Sequence, residues 1–351
     1  MKDKKISILL SSLALGGTER AMLNLAEAIA KTGITVELLL TRKEGEFLEE
    51  AEKKFRVVDL HLNKTYELPF KLLHYIITNR PDAVISNNWK QSLCACLTRL
   101  MFPFFKLLVV EHGPPSSWVF SFIATLFYPA ATRLIAVSTG VADAIEQCTF
   151  GLSGKVKVIY NAINPTGYRL IEKEKTFNTN RKKIITVGRL VAEKNHALLL
   201  DAFAIAFRRV DAELVLVGAG VLRGELESRA EKLGIKDRVR FVGFHSRPNE
   251  LLTEADLFVL SSDYEGLGNV LVEALFCGLP IVSTDCPHGP REVLMNGKYG
   301  ALVRPGDAAA LADAIVNELS KEKKPEIQQM GAEIFLPDKI ASQYLSCLGF
   351  T

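Results

Sequence analysis

The sequence predicts an α/β protein of two doubly wound parallel-sheet domains that face each other across a cleft. Three observations predict this fold class. Short β-rich runs alternate with longer runs of helical period, several of the short runs are apolar throughout, and the whole series occurs twice in 351 residues. Strands that are apolar on both faces are typical of parallel sheets covered by helices on each side. The length also suits two domains of ordinary size.

The first domain is predicted over residues 1–165. Between its first two strands, residues 19–31 are predicted to form a helix, because Leu23 and Ala26 belong to a set of apolar residues at helical spacing. Seven strands are expected in this domain, at residues 5–10, 35–40, 56–60, 82–86, 107–111, 133–138 and 157–160.

A polar and charged stretch at residues 166–183 contains few apolar side chains and is predicted to be a linker. The alternating series then restarts in a second domain over residues 184–333. The last segment, residues 334–351, is predicted to be helical, and packing back on the first domain is one arrangement open to it. Six strands are expected in the second domain, at residues 184–188, 213–218, 239–243, 257–261, 280–284 and 300–303.

The composition excludes several classes of protein. With 48% hydrophobic and 24% charged residues, the chain is neither disordered nor a collagen-like repeat nor a small disulfide scaffold. A net charge of +3 gives no strongly basic domain, so nucleic acid is not an expected partner. No pair of cysteines has zinc-ligand spacing, so buried reduced thiols are expected. The cysteines are Cys94, Cys96, Cys148, Cys277, Cys286 and Cys347.

Two segments resemble membrane or targeting sequences. The lysines before residues 6–15 imitate a signal peptide, but no clear cleavage site follows, and a first buried strand explains the segment more simply. Residues 118–131 carry no charge, yet they are shorter than the roughly 20 residues of a spanning helix and contain Pro129. A core helix is the preferred interpretation of that segment, and a helix lying on a membrane surface is the alternative.

The chemistry is expected beyond the carboxyl ends of the strands, where open parallel sheets bind their ligands. The segment at residues 261–274 runs from a strand through a glycine-bearing turn into a helix that begins near Gly268. Glycine lets a ligand approach the backbone, and a helix start offers free N–H groups to a diphosphate. Glu265 and Glu273, eight residues apart, are both placed to face the cleft, although such spacing alone is common.

The run Glu-Gly-Leu-Gly-Asn-x3-Glu at residues 265–273 resembles the E-x7-E signature of family 4 retaining glycosyltransferases, which have the GT-B fold of two Rossmann-like domains. The resemblance covers nearly the whole chain. Residues 285–292 are similar to a subgroup that builds bacterial capsule, lipopolysaccharide or lipid-linked oligosaccharides. Further matches to the family are Gly16-Gly17 in an amino-terminal glycine loop, a phosphate-binding segment at 187–195, and two strand ends at 217–220 and 241–244.

The resemblance implies a retaining transferase that moves a hexose or N-acetylhexosamine from a nucleotide-sugar, UDP-linked, to a lipid-linked or surface-glycan acceptor. It implies a cytoplasmic protein, with peripheral contact with the inner membrane as an added expectation. Neither a cofactor nor a metal is expected, and the chain has no Asp-x-Asp motif. In such enzymes the leaving diphosphate itself accepts the proton of the acceptor hydroxyl.

Four residues are predicted to be catalytic. Arg189 and Lys194 supply cations where the leaving diphosphate develops charge, and such bonds stabilise departure without a metal. Glu265 is expected to receive sugar hydroxyls, and His112, just past a strand, is expected to bond a sugar hydroxyl. The predicted donor-binding residues are Gly16, Gly17, Gly243, Phe244, Gly266, Leu267, Gly268, Asn269, Val270 and Glu273. The base pocket is expected at Gly243 and Phe244 and the ribose contact at Glu273, while a place in the core is the alternative for Phe244.

Some features depart from the family pattern or favour other functions. Leu267 stands where Phe is frequent, and residues 161–164 lack the glycine and the carboxylate usual in the interdomain hinge. The glycines at 218, 220 and 224 fit a dinucleotide fingerprint poorly, which argues against an oxidoreductase. A GT-B sugar-nucleotide epimerase and a non-catalytic nucleotide-sugar-binding subunit remain alternatives. Candidate acceptor-side residues are Glu19, Arg20, the helix at 69–78 with Lys71 and His74, and Trp118, Phe120, Phe122 and Phe127.

Overall fold

The computed structural model describes residues 4–62, 64–113, 118–152, 154–165, 181–245 and 247–350. The chain divides into two compact units, one formed by residues 1–164 with 335–351 and the other by residues 165–334. Most of the predicted linker at 166–183 lies outside the described residues. Its end was predicted wrongly, because the first strand of the second unit begins at Lys182 rather than at residue 184.

The first unit contains a seven-stranded parallel sheet, which confirms the seven predicted strands. Its strands lie in the order β3-β2-β1-β4-β5-β6-β7. The strands are β1 (Lys5–Leu10), β2 (Thr35–Leu40), β3 (Arg56–Asp59), β4 (Ala83–Asn87), β5 (Lys106–Glu111), β6 (Arg133–Ala136) and β7 (Val156–Val158). The helices before residue 165 are α1 (Gly17–Lys31), α2 (Leu48–Glu52), α3 (Leu68–Asn79), α4 (Trp89–Met101), α5 (Trp118–Phe127) and α6 (Thr139–Cys148).

The second unit contains a six-stranded parallel sheet in the order β10-β9-β8-β11-β12-β13. All six of its predicted strands are present. They are β8 (Lys182–Val187), β9 (Ala212–Val217), β10 (Val239–Gly243), β11 (Leu257–Leu260), β12 (Ile281–Thr284) and β13 (Ala301–Val303). The helices are α7 (His196–Ala206), α8 (Arg223–Lys232), α9 (Pro248–Leu252), α10 (Asn269–Phe276), α11 (Pro290–Val293), α12 (Ala308–Ser320) and α13 (Pro325–Ala332).

The apolar strands are buried because helices cover both faces of each sheet. In β1, Ile8 lies in register with Leu38 and Ile85, and all three are fully buried. A final helix, α14 (Pro337–Leu348), packs against α1 in the first unit. The backbone N–H of Ile163 donates to the carbonyl of Phe335 at 3.0 Å, which ties this carboxyl-terminal segment to the end of the first domain.

Two expectations about buried residues need correction. The segment predicted as a core helix forms α5, which buries Phe120 and Ala124 but leaves its opposite face exposed. The sequence does not distinguish the buried face of α5 from its exposed face, because apolar residues occur on both. The cysteines are also not all buried, since Cys148 is exposed at the end of α6.

The strand order locates the ligand-binding edge of each sheet. In the second unit the chain winds outward from β8 in one direction and from β11 in the other, so β8 and β11 flank the switch point. Loops that leave neighbouring strands at a switch point diverge and leave a crevice between them. In the first unit the corresponding strands are β1 and β4.

No helix among the described residues has both the length and the apolar composition needed to cross a bilayer.

The glycine after β9 is required for the backbone packing beside this crevice. Gly218 has φ +147°, and a Cβ atom there would lie 1.9 Å from the carbonyl oxygen of Gly188. We expect Gly218→Ala to lower the free energy of unfolding by about 3 kcal/mol or more, because it combines backbone strain with a clash between main chains. A thermal melt of purified protein measures the change.

The matched control is Gly224→Ala. Gly224 lies in α8, and apart from its own helical turn nothing lies within 4 Å of the position its Cβ would take. Because alanine is the better helix former, this variant should melt at the same temperature as the parent or slightly above it. Equal melting temperatures for the two variants would contradict the packing argument.

Candidate active site

An ion pair links the loops that follow β8 and β11 at the switch point of the second sheet. Lys194 Nζ lies 2.6 Å from Glu265 Oε1, and the two side chains are only 21% and 8% exposed. Ser262 Oγ donates to the same carboxylate oxygen at 2.7 Å. Two of the four predicted catalytic residues are therefore in direct contact, although 71 positions separate them in the chain.

Hydrogen bonds between the two loops hold this pair in place. The backbone N–H of Asp263 donates to the carbonyl of Glu193 at 2.9 Å, and Ser261 Oγ donates to the carbonyl of Lys194 at 3.0 Å. From β12, Thr284 Oγ1 donates to the carbonyl of Ser262 at 2.6 Å. Because the backbone on both sides of the pair is fixed, Lys194 and Glu265 meet with little further loss of conformational entropy.

Asn195 turns the chain directly after Lys194. It adopts the left-handed conformation at φ 41°, and its side-chain oxygen caps α7 by accepting from the N–H of Leu198 at 3.1 Å. Its amide nitrogen donates to Asp263 Oδ1 at 2.9 Å, which adds a further link between the loops. Asparagine suits this position because it tolerates positive φ and accepts hydrogen bonds from a helix start.

The pair retains unused hydrogen-bonding capacity. An ammonium group has three N–H donors, and within the described residues Lys194 directs one of them to Glu265. Glu265 Oε1 accepts two bonds, while no described residue bonds to Oε2. The arrangement thus offers free N–H donors to an anion and a carboxylate oxygen to a hydroxyl group within a few ångströms of each other.

Arg189 does not join the Lys194–Glu265 pair. Its side chain is 74% exposed and forms only a loose ion pair with Glu193 at 3.6 Å. Exposed pairs of this kind contribute little free energy, so the guanidinium group is free to turn toward a bound anion. The backbone of Arg189 is better fixed, because the buried ring of His196 contacts its carbonyl through Nε2 at 3.2 Å.

The helix predicted to bind the donor begins where expected. Gly268 precedes α10 with φ +83°, and Asn269 and Val270, which open the helix, are half-buried. Leu267 is buried rather than exposed to the crevice. A Cβ atom on Gly289, which has φ +79°, would lie 2.3 Å from the carbonyl oxygen of Leu267, so this glycine lets two loop backbones touch.

The remaining predicted donor residues of this unit lie around the same edge. Gly266 and Glu273 are half-buried, and Glu273 is the fifth residue of α10. Gly243 ends β10 with φ +82°, and its carbonyl accepts from the N–H of Gly218 at 2.8 Å, which brings the ends of β9 and β10 together. Phe244 is exposed, so the alternative that it belongs to the core is wrong.

In the first unit, His112 directly follows β5. Both of its ring nitrogens are buried and have no hydrogen-bond partner among the described residues. Burial lowers the pKa of His112 to about 4, so the imidazole is neutral near pH 7. A neutral imidazole has one donor and one acceptor, and leaving both unused inside a protein is costly unless a ligand completes them.

Glu111, the residue before His112, is a second titratable group at this strand end. It is buried, and the hydroxyl of Tyr128 donates to its Oε1. Burial raises the pKa of Glu111 to about 7, an effect that the bond from Tyr128 partly offsets. From the sequence, Glu111 was expected only as the last residue of a strand, with no functional role.

The predicted glycine loop of the first unit lies at the start of α1. Gly16 is the extended residue before the helix, and Gly17 is its first residue. A Cβ atom on Gly16 would lie 2.2 Å from Glu19 Oε2, so the carboxylate of Glu19 covers this glycine. Burial raises the pKa of Glu19. Of the predicted acceptor-side residues, Arg20 donates to Glu50 at 2.9 Å and is thereby held against α2.

Sequence reasoning missed three side chains that support the site. Ser262 bonds to Glu265, His196 fixes the Arg189 carbonyl, and Tyr264 packs edge-on against His288 with ring centroids 5.5 Å apart. Ser262 and His196 adjoin motif residues in the sequence, which is the only signal that could have identified them. Within the described ranges, no group of three or more His, Cys, Asp and Glu side chains is arranged to hold a metal ion.

Two family models match the chain. The model described as "Glycosyltransferase Family 4" matches residues 15–166, and "Glycosyl transferases group 1" matches residues 168–333. Together they extend across both units and include every residue of the Lys194–Glu265 site.

Several known proteins are similar over most of their length. N-acetyl-alpha-D-glucosaminyl L-malate synthase of Bacillus anthracis is 32% identical, over 72% of this chain and 70% of the relative. A Campylobacter jejuni N-acetylgalactosaminyltransferase, whose name specifies a diphospho-undecaprenol acceptor, is 28% identical over 91% of both chains. The crystal structure of Anabaena HepE in complex with UDP superposes with a TM-score of 0.83 at 23% identity, over 99% of this chain and 100% of that chain.

Proposed function

Because this chain belongs to glycosyltransferase family 4 and has its GT-B fold, we propose that it is a retaining, metal-independent glycosyltransferase. It transfers a hexose or an N-acetylhexosamine from a UDP-sugar to a lipid-linked or surface-glycan acceptor in bacterial polysaccharide assembly. The observation that carries the proposal is the largely buried Lys194–Glu265 pair, in which, among the described residues, two N–H groups of Lys194 and one carboxylate oxygen of Glu265 have no partner.

The cations of the second unit bind the diphosphate of the donor. Lys194 directs its free N–H groups to the phosphate oxygens, and Arg189 swings from its exposed position to a second set of oxygens. Charge-assisted bonds of this kind strengthen as the diphosphate leaves and gains negative charge, so they lower the barrier rather than merely tighten binding. The positive end of the α10 helix dipole, at Asn269, adds to the same effect.

Glu265 binds the sugar, and Glu273 binds the ribose of the nucleotide. Oε2 of Glu265 accepts a sugar hydroxyl, while Ser262 and Lys194 fix the orientation of the carboxylate through Oε1. Gly243 and Phe244 border the base, and Phe244 is exposed and therefore available to stack on it. Gly16 and Gly17, at the start of α1 in the first unit, are also proposed to bind the donor.

In the reaction, the bond between the anomeric carbon and the diphosphate oxygen breaks, and a bond to the acceptor oxygen forms on the same face. The acceptor hydroxyl gives its proton to the leaving diphosphate. His112 bonds a sugar hydroxyl through its neutral ring, which agrees with two buried ring nitrogens that have no partner among the described residues. No protein group needs to change its protonation state in this scheme.

A lipid-linked acceptor agrees with the activity that the name of the Campylobacter jejuni relative gives, transfer to a diphospho-undecaprenol glycan. We therefore propose a cytoplasmic protein that contacts the inner membrane peripherally.

A thermal-shift panel tests the donor assignment. UDP and UDP-sugars should raise the melting temperature, because a ligand at one hundred times its Kd adds about 2.7 kcal/mol of stability. GDP-sugars and ADP-sugars should do so less. A panel in which no nucleotide raises the melting temperature would contradict the donor assignment, and binding without transfer to a mixture of lipid-linked acceptors would favour the non-catalytic subunit.

The Glu273→Ala variant extends the panel to the ribose contact. Its Kd for UDP should rise by about tenfold or more, the usual effect of losing a hydrogen bond to a charged group. Its Kd for pyrophosphate should stay unchanged. Equal losses for UDP and pyrophosphate would contradict a ribose contact.

A further inference from the structure

The end of β4 carries a buried polar side chain that the proposed function does not use. Asn87 is the last residue of β4, one of the two strands that flank the switch point of the first sheet, where open parallel sheets bind their ligands. Asn87 is only 5% exposed, and its Oδ1 atom is buried with no hydrogen-bond partner among the described residues. Most buried polar atoms in folded proteins have a partner, so this oxygen is available to a ligand.

A second side chain with unused hydrogen-bonding atoms follows the neighbouring strand. Asn87 lies in register with Val110 of β5, and residues in register on parallel strands point to the same face of the sheet. Glu111 points to the other face, where the hydroxyl of Tyr128 donates to it. The period of two then returns His112 to the face of Asn87. With strands ~4.8 Å apart and a rise of ~3.3 Å per residue, the Cα atoms of Asn87 and His112 are roughly 8 Å apart.

The backbone around Asn87 is held in place. The side-chain amide of Gln91 is hydrogen-bonded to Ser11 Oγ at 2.8 Å, which ties the first turn of α4 to the end of β1. Asn88, the residue after Asn87, has φ 94°, a conformation that residues other than glycine rarely adopt. Its side chain caps α4 by accepting from the N–H of Lys90 at 3.2 Å. The structure therefore maintains a costly backbone conformation directly beside the unpartnered oxygen, as binding sites often do.

The hydrogen-bonding pattern of the two side chains favours a neutral ligand that carries hydroxyl groups. Asn87 Oδ1 only accepts, whereas the neutral imidazole of His112 has one donor and one acceptor. Burial lowers the pKa of His112 to about 4, so near pH 7 the ring offers no positive charge to a phosphate. A hydroxyl group both donates and accepts, and the adjacent hydroxyls of a sugar ring can therefore satisfy both side chains together.

We propose that Asn87 and His112 together bind the hydroxyl groups of one sugar ring, with Asn87 Oδ1 accepting from a hydroxyl and His112 bonding the same hydroxyl or its neighbour. The inference rests on the proposed function and deepens it, because it adds Asn87 to the sugar-binding residues. The sugar of the donor and the sugar of the acceptor glycan offer the same chemistry. The two arms of the first experiment distinguish them.

Asn87→Ala should weaken the binding of one sugar by about tenfold, because a sugar hydroxyl loses its acceptor. If the donor sugar occupies the site, calorimetry should show a raised Kd for UDP-glucose or UDP-N-acetylglucosamine, whichever the parent binds, and an unchanged Kd for UDP. If the acceptor sugar occupies it, the donor Kd should stay unchanged, and the KM for the lipid-linked acceptor mixture should rise. Unchanged values in both arms would assign the two side chains to an ordered water and overturn the proposal.

Melting temperatures without ligand distinguish a binding residue from a structural one. Asn87→Ala removes an oxygen that has no partner among the described residues, so this variant should melt at the temperature of the parent or above it. The matched control is Asn24→Ala. Asn24 is equally buried at 5%, but its Nδ2 donates to the carbonyl of Ala162 at 2.9 Å.

Asn24→Ala leaves that carbonyl unpaired, so it should lower the melting temperature while the Kd and KM values of the folded enzyme stay those of the parent. If Asn87→Ala lowers the melting temperature as much as Asn24→Ala does, Asn87 is a structural residue and the proposal is wrong.

A double-mutant cycle tests whether the two side chains share one ligand. His112→Phe keeps a ring of similar shape and removes both nitrogens. If Asn87 and His112 bind the same sugar ring, the double variant should lose less affinity than the product of the two single losses. Losses that multiply would refute the shared site.

The response of the parent to UDP separates this inference from the proposed function. A parent that UDP does not stabilise would reject the proposed function itself. A parent that binds UDP and transfers sugar, beside an Asn87→Ala variant that matches it in both arms, would reject only the site at Asn87.

Discussion

Lys194→Ala should lower kcat/KM by about 10² to 10³, the effect of removing one preorganised donor to a developing negative charge. Lys194 is the only partner of Glu265 with a positive charge in the described residues, and its remaining N–H groups have no other partner there. The loss should fall mainly on kcat, with weaker binding of UDP as a second effect, because the charge of the diphosphate grows as the sugar leaves. Steady-state transfer kinetics measures both.

The variant also leaves a buried carboxylate with a single donor, Ser262, so the free energy of unfolding should fall by about 1–3 kcal/mol. Assays must therefore run well below the melting temperature. Lys194→Arg keeps the positive charge and should lose much less activity, and Lys236→Ala removes an exposed lysine of the same unit and should change nothing. A Lys194→Ala enzyme with turnover within about threefold of the parent would contradict the diphosphate role.

Glu265→Gln should lower transfer by about 10² while leaving UDP binding intact. Glutamine preserves the shape of the side chain and can still accept from Ser262 and Lys194 through its oxygen. At the position of Oε2, however, it presents an N–H₂ donor where the sugar hydroxyl needs an acceptor. The affinity for UDP-sugar should therefore fall toward that of UDP, measured by calorimetry with the two ligands side by side.

The signatures of the two variants differ. Lys194→Ala should weaken the binding of UDP and of UDP-sugar alike, whereas Glu265→Gln should weaken only the binding of UDP-sugar. Asp313→Asn removes an exposed carboxylate that pairs with Arg209 in the same unit, and it serves as the control. If Glu265→Gln weakens the binding of UDP as much as Lys194→Ala does, Glu265 contacts the diphosphate and its assignment to the sugar is wrong.

The thirteen predicted strands are all present, because each one is an apolar run bounded by turn residues and this pattern is local. The helical start at Gly268 was predictable for the same reason. Errors arose where a neighbour decides the outcome. The residues of α5 carry no charge, and the burial of Phe120 and Ala124 against neighbouring elements leaves the opposite side exposed to solvent. Phe244 is exposed although its residue type allowed a place in the core.

For the four residues predicted to be catalytic, the sequence identified the residues but not their contacts. Their types and positions after strands identified Arg189, Lys194, Glu265 and His112, and the order of motifs identified the family. The sequence did not reveal that Lys194 bonds to Glu265, that Ser262 holds the carboxylate, or that Arg189 remains in solvent. It also gave no role to Glu111, whose pKa depends on how completely its strand end is buried.

The amino-acid order by itself therefore determined the α/β class, the two repeated strand series and the residues worth testing. Periodicity and turn chemistry depend on a few neighbouring positions, so they are recognisable in the sequence itself. Only the tertiary structure decided which charged groups meet, which apolar side chains remain in water and which ring nitrogens lie buried. Those outcomes depend on contacts between segments that are distant in the chain, where burial and electrostatics act through space.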